Sequence, residues 1–381
     1  MGNLFDYLEW RGDLTFAQSE FNKVDNLVLS VLSYVELTGI APEEGSNERI
    51  TIKEAADYYF EFHDLEEDAP GLLLSNDFIK LFYIMARSKR FGSLQISHYV
   101  NHVDEAEEKQ FSAITVYLED GTAFIAFRGT DDTIVGWKED FNMSFQTPVP
   151  SQTEAVSYLK MIMRQTRCKL RLGGHSKGGN LAVFAAAFSG IRAQRRVIEI
   201  YNNDGPGFTH KIIETEEYKS IMEKIHTYVP QSSVIGMLLE HEESYQVVHS
   251  NQKGILQHDP FSWEITGTEF VYEKNLTHES RVVDQTLKEW IFSMDDAQKS
   301  EFVDALFGIF KDEEYTTLSE FSIRSVGAMI KSYNNMAEET RHMLQKTIKL
   351  LIEQARKNAK IEWKIAKSHT LQHLEHSGRK K

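Results

Sequence analysis

The chain has 381 residues, 41% of them hydrophobic and 11% aromatic, a globular composition with room for one large core and an appendage. A formal net charge of −15 argues against general nucleic-acid binding, because a phosphate backbone rewards cationic surfaces. No apolar run nears the ~18 residues of a membrane span, the first residues lack a signal peptide's basic and apolar regions, and the lone Cys168 fits a reducing compartment.

A cytoplasmic protein is therefore expected. The charge is unevenly spread. Residues 341–381 hold 11 Lys/Arg against 3 Glu, so a basic tail follows a still more acidic body.

Apolar residues recur at helical spacing over 18–38, 51–63 and 76–87. Strand-like runs follow at 94–100, 111–118 and 122–129, and Asp120-Gly121 between the last two signals a hairpin. A helix over 152–166 precedes the short strand CKLRLGG, the helix NLAVFAAAF and the strand RVIEIYNN. KIHTYVP and SYQVVHS are further strands. This alternation predicts an α/β fold with a mostly parallel central sheet and helices on both faces. After about residue 280 the pattern turns to helix only, over 283–295, 297–311, 317–336 and 339–367. The expected division is an α/β domain over 1–280 and a helical extension over 281–381.

Gly174-His175-Ser176-Lys177-Gly178 fits G-x-S-x-G. Where a strand turns sharply into a helix, a serine takes a strained conformation that leaves Oγ clear, and its neighbours must be small. The required context is present. The strand 168–172 leads in, and an alanine-rich helix leads out with Ala182, Ala185, Ala186 and Ala187. The competing reading is a glycine-rich turn without chemistry. A nucleophile also needs two backbone N–H groups aimed at the developing oxyanion. Lys177, directly after the serine, offers one. Thr130, at the end of FIAFRGT, offers the other.

These segments resemble the class 3 (fungal-type) lipase family, and more closely its bacterial branch. The matching residues are IAFRGTDD with Trp137 and Asp140 downstream, then GGHSKGGNLA and QHDPFSW, with FDYLEWRGDLTF and NNDGPGF in support. The resemblance spans about residues 1–275. It implies an α/β-hydrolase fold, with FRGT as the oxyanion loop, G-H-S-x-G-G as the nucleophile elbow, and a late histidine beside an aromatic as the base.

In α/β-hydrolases the order along the chain is Ser, then Asp or Glu, then His. His258, in LQHDPFSW, is the favoured base and His249 the runner-up. His175 points away from Oγ, and His63, His98 and His102 precede the serine. In the class 3 pattern the acid lies just after the strand that reads KIHTYVP, where this chain has Ser232 and Ser233. A serine cannot stabilise imidazolium as a carboxylate does. Asp204, at the preceding strand end in NNDGPGF, is the candidate acid, with capping of that turn as its alternative role. Glu240, Glu242 and Glu243 read as a charged surface segment.

No H-e-x-x-H-like ligand spacing and no G-x-G-x-x-G after a strand occurs, so neither a metal nor a dinucleotide cofactor is expected. The expected activity is hydrolysis of carboxylic esters, lipid or acyl esters in particular, through an acyl-enzyme. The alternative is a catalytically weak or inactive lipase-like domain that binds a protein or a membrane. The apolar stretch 234–238 either lines an acyl pocket or packs in the core. The helix over 337–376 either meets an anionic membrane or docks its apolar face on the body.

Overall fold

Three of the first four helices are started by side chains that cap them. Asn3 caps α1 (Leu4–Arg11), Asn22 caps α2 (Lys23–Leu32) and Thr51 caps α3 (Ile52–Tyr59), each paired with an acid three residues on, Asp6, Asp25 and Glu54. Each pair satisfies two backbone N–H groups that a helix start leaves unbonded. Helix α4 (Asp77–Arg87) completes the group. The computed structural model describes residues 2–64, 77–131, 133–311 and 333–353, with positions 330 and 356.

The main sheet has nine strands. They are β1 (Ile50–Thr51), β2 (Gln95–Asp104), β3 (Lys109–Tyr117), β4 (Ala123–Phe127), β5 (Leu170–His175), β6 (Val197–Asn203), β7 (Ile225–Pro230), β8 (Tyr245–Val248) and an edge strand. A separate pair is formed by β9 (Ile265–Thr266) and β10 (Glu269–Phe270), after which β11 (Tyr272–Glu273) supplies that edge. The order is β1-β2-β3-β4-β5-β6-β7-β8-β11. Strands β4 to β8, which carry the candidate site, run parallel. The two hairpins before them and β11 add antiparallel edges. The turn at Asp120-Gly121 closes as expected, with Gly121 at φ 78 and the Leu118 amide bonded to the Thr122 carbonyl.

Between strands the chain crosses through α5 (Ile134–Asn142), α6 (Pro150–Gln165), α7 (Lys177–Phe188), α8 (Ile191–Arg196) and two single turns, α9 (His210–Ile213) and α10 (Glu216–Lys219). Alternation along β4 sorts its residues between two cores. Phe124 and Ala126 join the N-terminal helices, while Ile125 and Phe127 join α6 and α7. The result is an α/β-hydrolase fold, a large sheet with helices on both faces and a C-terminal helical part.

Buried polar pairs pin the N-terminal layer. Asp25 accepts from Arg90 Nη2 at 2.5 Å and Nε at 2.7 Å, and from the Tyr7 hydroxyl at 2.7 Å. Asn26 exchanges side-chain bonds with Asn203, whose amide also reaches the Gly174 carbonyl at 3.0 Å. Helix α2 thereby fixes the ends of both β5 and β6, where the candidate residues begin.

Helices α11 (His278–Phe292) and α12 (Asp296–Lys311) follow. Trp290, Phe302, Val303 and Phe307 form their core, with Ile134, Trp137 and Phe145 from the α5 region packed against it. Buried Lys138 joins the layers, donating to Glu108 at 2.5 Å and Asp304 at 2.6 Å. Residue 280 lies in the first turn of α11, and the Ser280 hydroxyl donates to the Ser233 carbonyl at 2.6 Å.

The expected helix over 317–336 lies mostly outside the described residues, and that over 339–367 is described to 353 and at 356. There Leu344 is buried with Met343 and Leu351 against the same core, and the Trp290 indole donates to the Thr347 carbonyl at 3.0 Å. One face of this stretch therefore docks on the body, while Ile348, Leu350 and Ile352 stay exposed. Among the described residues, no helix is long and apolar enough to cross a membrane.

Candidate active site

Ser176 sits between β5 and α7 with φ 57 and ψ −135, a conformation that costs a residue with a Cβ about 1–3 kcal/mol. Small neighbours make the turn feasible. A Cβ on Gly174 would stand 2.3 Å from the Gly178 carbonyl carbon, and one on Gly178 would stand 2.1 Å from the Phe127 oxygen. The helix start thus passes against both β4 and β5. The Ser176 amide donates to Asn203 at 2.9 Å, tying the elbow to β6.

Asp204 follows β6 directly, also at positive φ, 52. Its amide donates to the Tyr228 carbonyl at 2.8 Å, and its side chain is fully buried. Oδ2 lies 2.6 Å from Nδ1 of His258, and Oδ1 accepts from the Ser233 hydroxyl at 2.5 Å. The serine found at the expected acid position therefore points at a carboxylate supplied one strand earlier. A Cβ on Gly236 would fall 2.1 Å from Asp204 Oδ1, so the acid loop closes tightly over it.

His258 ends the turn Gly254–His258, and Asp259 caps the next turn by accepting from the Phe261 amide at 3.0 Å. Its backbone is braced from the elbow itself. His175 Nε2 lies 2.8 Å from the His258 carbonyl, which can only accept, so that nitrogen carries the proton and Nδ1 accepts from the Tyr34 hydroxyl at 3.2 Å. Burial holds His175 well below the ordinary histidine range, with His258 nearby adding to the shift, so the ring is neutral. The two imidazoles lie 4.5 Å apart between centroids. Among the described residues, neither the Ser176 hydroxyl nor His258 Nε2 makes a hydrogen bond.

The two amides assigned by sequence to the oxyanion are both free. Neither the Thr130 nor the Lys177 backbone N–H donates to a partner among the described residues. The Thr130 hydroxyl donates to Asp140 Oδ2 at 2.6 Å, which fixes the loop after β4. The Lys177 side chain is wholly buried and spends its three protons on Gln110 O, Gln110 Oε1 and Glu139 Oε2 at 3.0, 2.9 and 3.0 Å. Burial pushes the Asp140 carboxyl up to about 6, against the pull of the Lys177 ammonium.

The chain belongs to the Mbeg1-like family. That family's profile matches residues 85–308, more than half of the chain, and this lipase-like family accords with the class 3 lipase resemblance of the motifs. Among solved structures, the chain is similar to a fungal lipase from a lipase-inhibitor complex described as a model for interfacial activation. Identity is 14%, 42% of this chain and 67% of that chain are covered, and the TM-score is 0.31. No curated protein matches.

The other candidates of this Mbeg1-like chain lie elsewhere. His249 sits at the β8–β11 edge and pairs with Glu273 at 2.8 Å. His102 pairs with Glu154, His98 with the Tyr117 hydroxyl and His63 with the Tyr59 carbonyl. Glu242 is exposed and Glu240 partly so, but Glu243 is buried rather than on the surface. It accepts from Tyr218, Thr227 and His241. Burial raises its pKa, but these donors outweigh it and hold the carboxyl at about 2. Among the described residues no group of His, Cys, Asp and Glu could hold a metal ion.

Sequence reading overlooked α5, whose Trp137 and Asp140 line an apolar cavity of about 260 Å³. Val234, Ile235 and Leu238 line it too, as do Leu287, Trp290, Phe302 and Val303 from α11 and α12. Three lining residues are tied to the candidate site by a hydrogen bond or by chain position. Asp140 accepts from Thr130, Pro206 lies two positions after Asp204, and Ile255 belongs to the turn ending at His258.

Proposed function

We propose that this chain is a serine hydrolase of carboxylic esters with an apolar acyl chain. The observation that carries the reading is the Asp204–His258 contact at 2.6 Å beside a serine held at φ 57 on a strand-to-helix turn. Ser176 Oγ attacks the ester carbonyl while His258 Nε2 takes its proton. Asp204 holds the Nδ1–H tautomer and stabilises the imidazolium.

The amides of Thr130 and Lys177 receive the oxyanion. Collapse expels the alcohol with the proton returned by His258, leaving an acyl-enzyme that water hydrolyses by the same steps. The apolar cavity beside Asp140, Pro206 and Ile255 suits the acyl chain. No cofactor enters the scheme, and the lone Cys168 supports a cytoplasmic setting.

The alternative, a catalytically weak or inactive lipase-like domain that binds a protein or a membrane, is favoured if Ser232 and Ser233 stand in place of the acid. Ser233 stands hydrogen-bonded to a carboxylate instead of replacing one, so this support is weak. A fluorophosphonate probe tests the proposal. Wild type is expected to label stoichiometrically and Ser176→Ala not at all; well-folded wild type that does not label overturns it.

A further inference from the structure

His258 ends a turn whose Ile255 and Leu256 are open to solvent, yet a general base has to be held within narrow limits of its target. Its neighbour Gln257 is fastened twice. The side-chain oxygen accepts from the Ser232 amide at 2.7 Å, and the carbonyl accepts from the Trp263 indole at 2.9 Å. The His258 carbonyl is held from the elbow, by Nε2 of His175 at 2.8 Å. His175 directly precedes Ser176 in the chain, so this one side chain ties the nucleophile to the base.

A neutral imidazole carries a single N–H, and its partners decide which nitrogen has it. The other tautomer of His175 would set the Nε2 lone pair against those of the His258 carbonyl. Tyr34, just beyond α2, faces the opposite nitrogen, its hydroxyl 3.2 Å from Nδ1. A proton donated there keeps the N–H on Nε2. The same hydroxyl lies 3.4 Å from the His175 carbonyl, and a Cβ on Gly129 would stand 2.2 Å from it. Gly129 directly precedes Thr130 in the oxyanion loop. Tyr34 therefore packs one residue before the oxyanion donor and one residue before the nucleophile, and it reaches the base through His175. Both side chains are buried, so their effect travels through these bonds and not through contact with substrate.

We propose that Tyr34 and His175 are positioning residues for the base: the Tyr34 hydroxyl fixes the Nε2–H form of His175, and that N–H holds the His258 carbonyl so that His258 Nδ1 stays on Asp204 while the ring gains and loses its proton. This rests on the serine hydrolase reading above. Without the hydroxyl, His175 Nδ1 is a buried acceptor with no donor, a costly arrangement. The ring turns to relieve it and releases the His258 carbonyl. The base is then less often aligned with the serine, a fault felt in the chemical step and not in substrate binding.

Steady-state kinetics of the full chain on 4-nitrophenyl butyrate test this. Tyr34→Phe is expected to lower kcat about tenfold, the equivalent of one buried hydrogen bond. KM should stay within about twofold of wild type, since the lost bond acts in the transition state. In a His175→Leu background, where the relay is already gone, the same change should leave kcat within about twofold of His175→Leu alone. A tyrosine that only filled space would cost the same in both backgrounds. Wild-type kcat in Tyr34→Phe, a loss confined to KM, or equal losses in the two backgrounds overturns the proposal, while turnover and fluorophosphonate labelling of wild type keep the hydrolase reading. Wild type that neither labels nor turns over the ester overturns both. If His175→Leu does not fold, kcat and KM of Tyr34→Phe decide alone.

Discussion

Ser233 donates its hydroxyl to Asp204 at 2.5 Å, while the other oxygen of the same carboxylate faces His258 Nδ1 at 2.6 Å. The residue at the expected acid position thus supports the candidate acid at the end of β6. Asp204→Asn is expected to keep the fold and lower kcat by about 10³–10⁴-fold, as a wrongly held imidazole tautomer does. Ester turnover and far-ultraviolet dichroism measured together check this, and unchanged turnover would leave Asp204 as a turn cap only.

The same contact predicts a partial exchange of roles. Adding Ser233→Asp to Asp204→Asn should restore part of the lost activity, because a carboxylate then stands where the hydroxyl stood. Ser233→Asp alone should be harmful, since two buried carboxylates in contact cannot both ionise. If the double variant is no better than Asp204→Asn in kcat, position 233 cannot serve as an acid in this loop.

Glu243 gives a pH dependence of stability with a definite sign. Its folded pKa of about 2 lies below the ordinary 4.5, so the stabilisation is complete above about pH 4.5 and fades as pH falls toward 2. A shift of this size corresponds to about 3 kcal/mol. Urea midpoints measured from pH 7 to pH 3 should fall less steeply for Glu243→Gln than for wild type. Parallel curves would show that this carboxylate contributes nothing to acid sensitivity.

Lys177 and Glu139 are both wholly buried and meet at 3.0 Å. Lys177→Met leaves the Glu139 carboxylate with only the Gln110 and Ser151 amides, and such a broken buried pair costs about 3–5 kcal/mol. Equilibrium denaturation should show that loss. A change below about 1 kcal/mol would mean that water or rearrangement replaces the ammonium.

The C-terminal stretch offers a membrane test. Ile348, Leu350 and Ile352 are exposed beside Lys346 and Lys349, an arrangement suited to an anionic bilayer. Vesicles containing phosphatidylserine should float the full chain more than a chain lacking residues 337–381. Equal flotation removes membrane contact through this tail.

Local signals made the elbow, the FRGT loop and the parallel strands legible, because each is a short run whose turn and alternation carry their own physical demand. His258 could be named as the candidate base from chain order and resemblance. Asp204 could be named as the candidate acid but not separated from a turn cap, since its contact with His258 spans 54 positions and depends on how two strand ends sit side by side. Glu243 looked like surface charge because Glu240 and Glu242 lie just before it; its partners Tyr218 and Thr227 come from other segments. Helix α5 is short and mixes Trp137, Lys138, Glu139 and Asp140, so no single apolar stripe announced it. Its partners, α11 and α12, lie more than a hundred residues further on.

The hydrogen bond from Ser280 to Ser233 links a helix start to the support of the candidate acid. Chemistry and fold therefore share a fastening. On gentle heating, unravelling of the first turn of α11 would free Ser233 and loosen Asp204 while the sheet still stood. Such a protein would lose turnover before it lost its global structure, and cooling would return both.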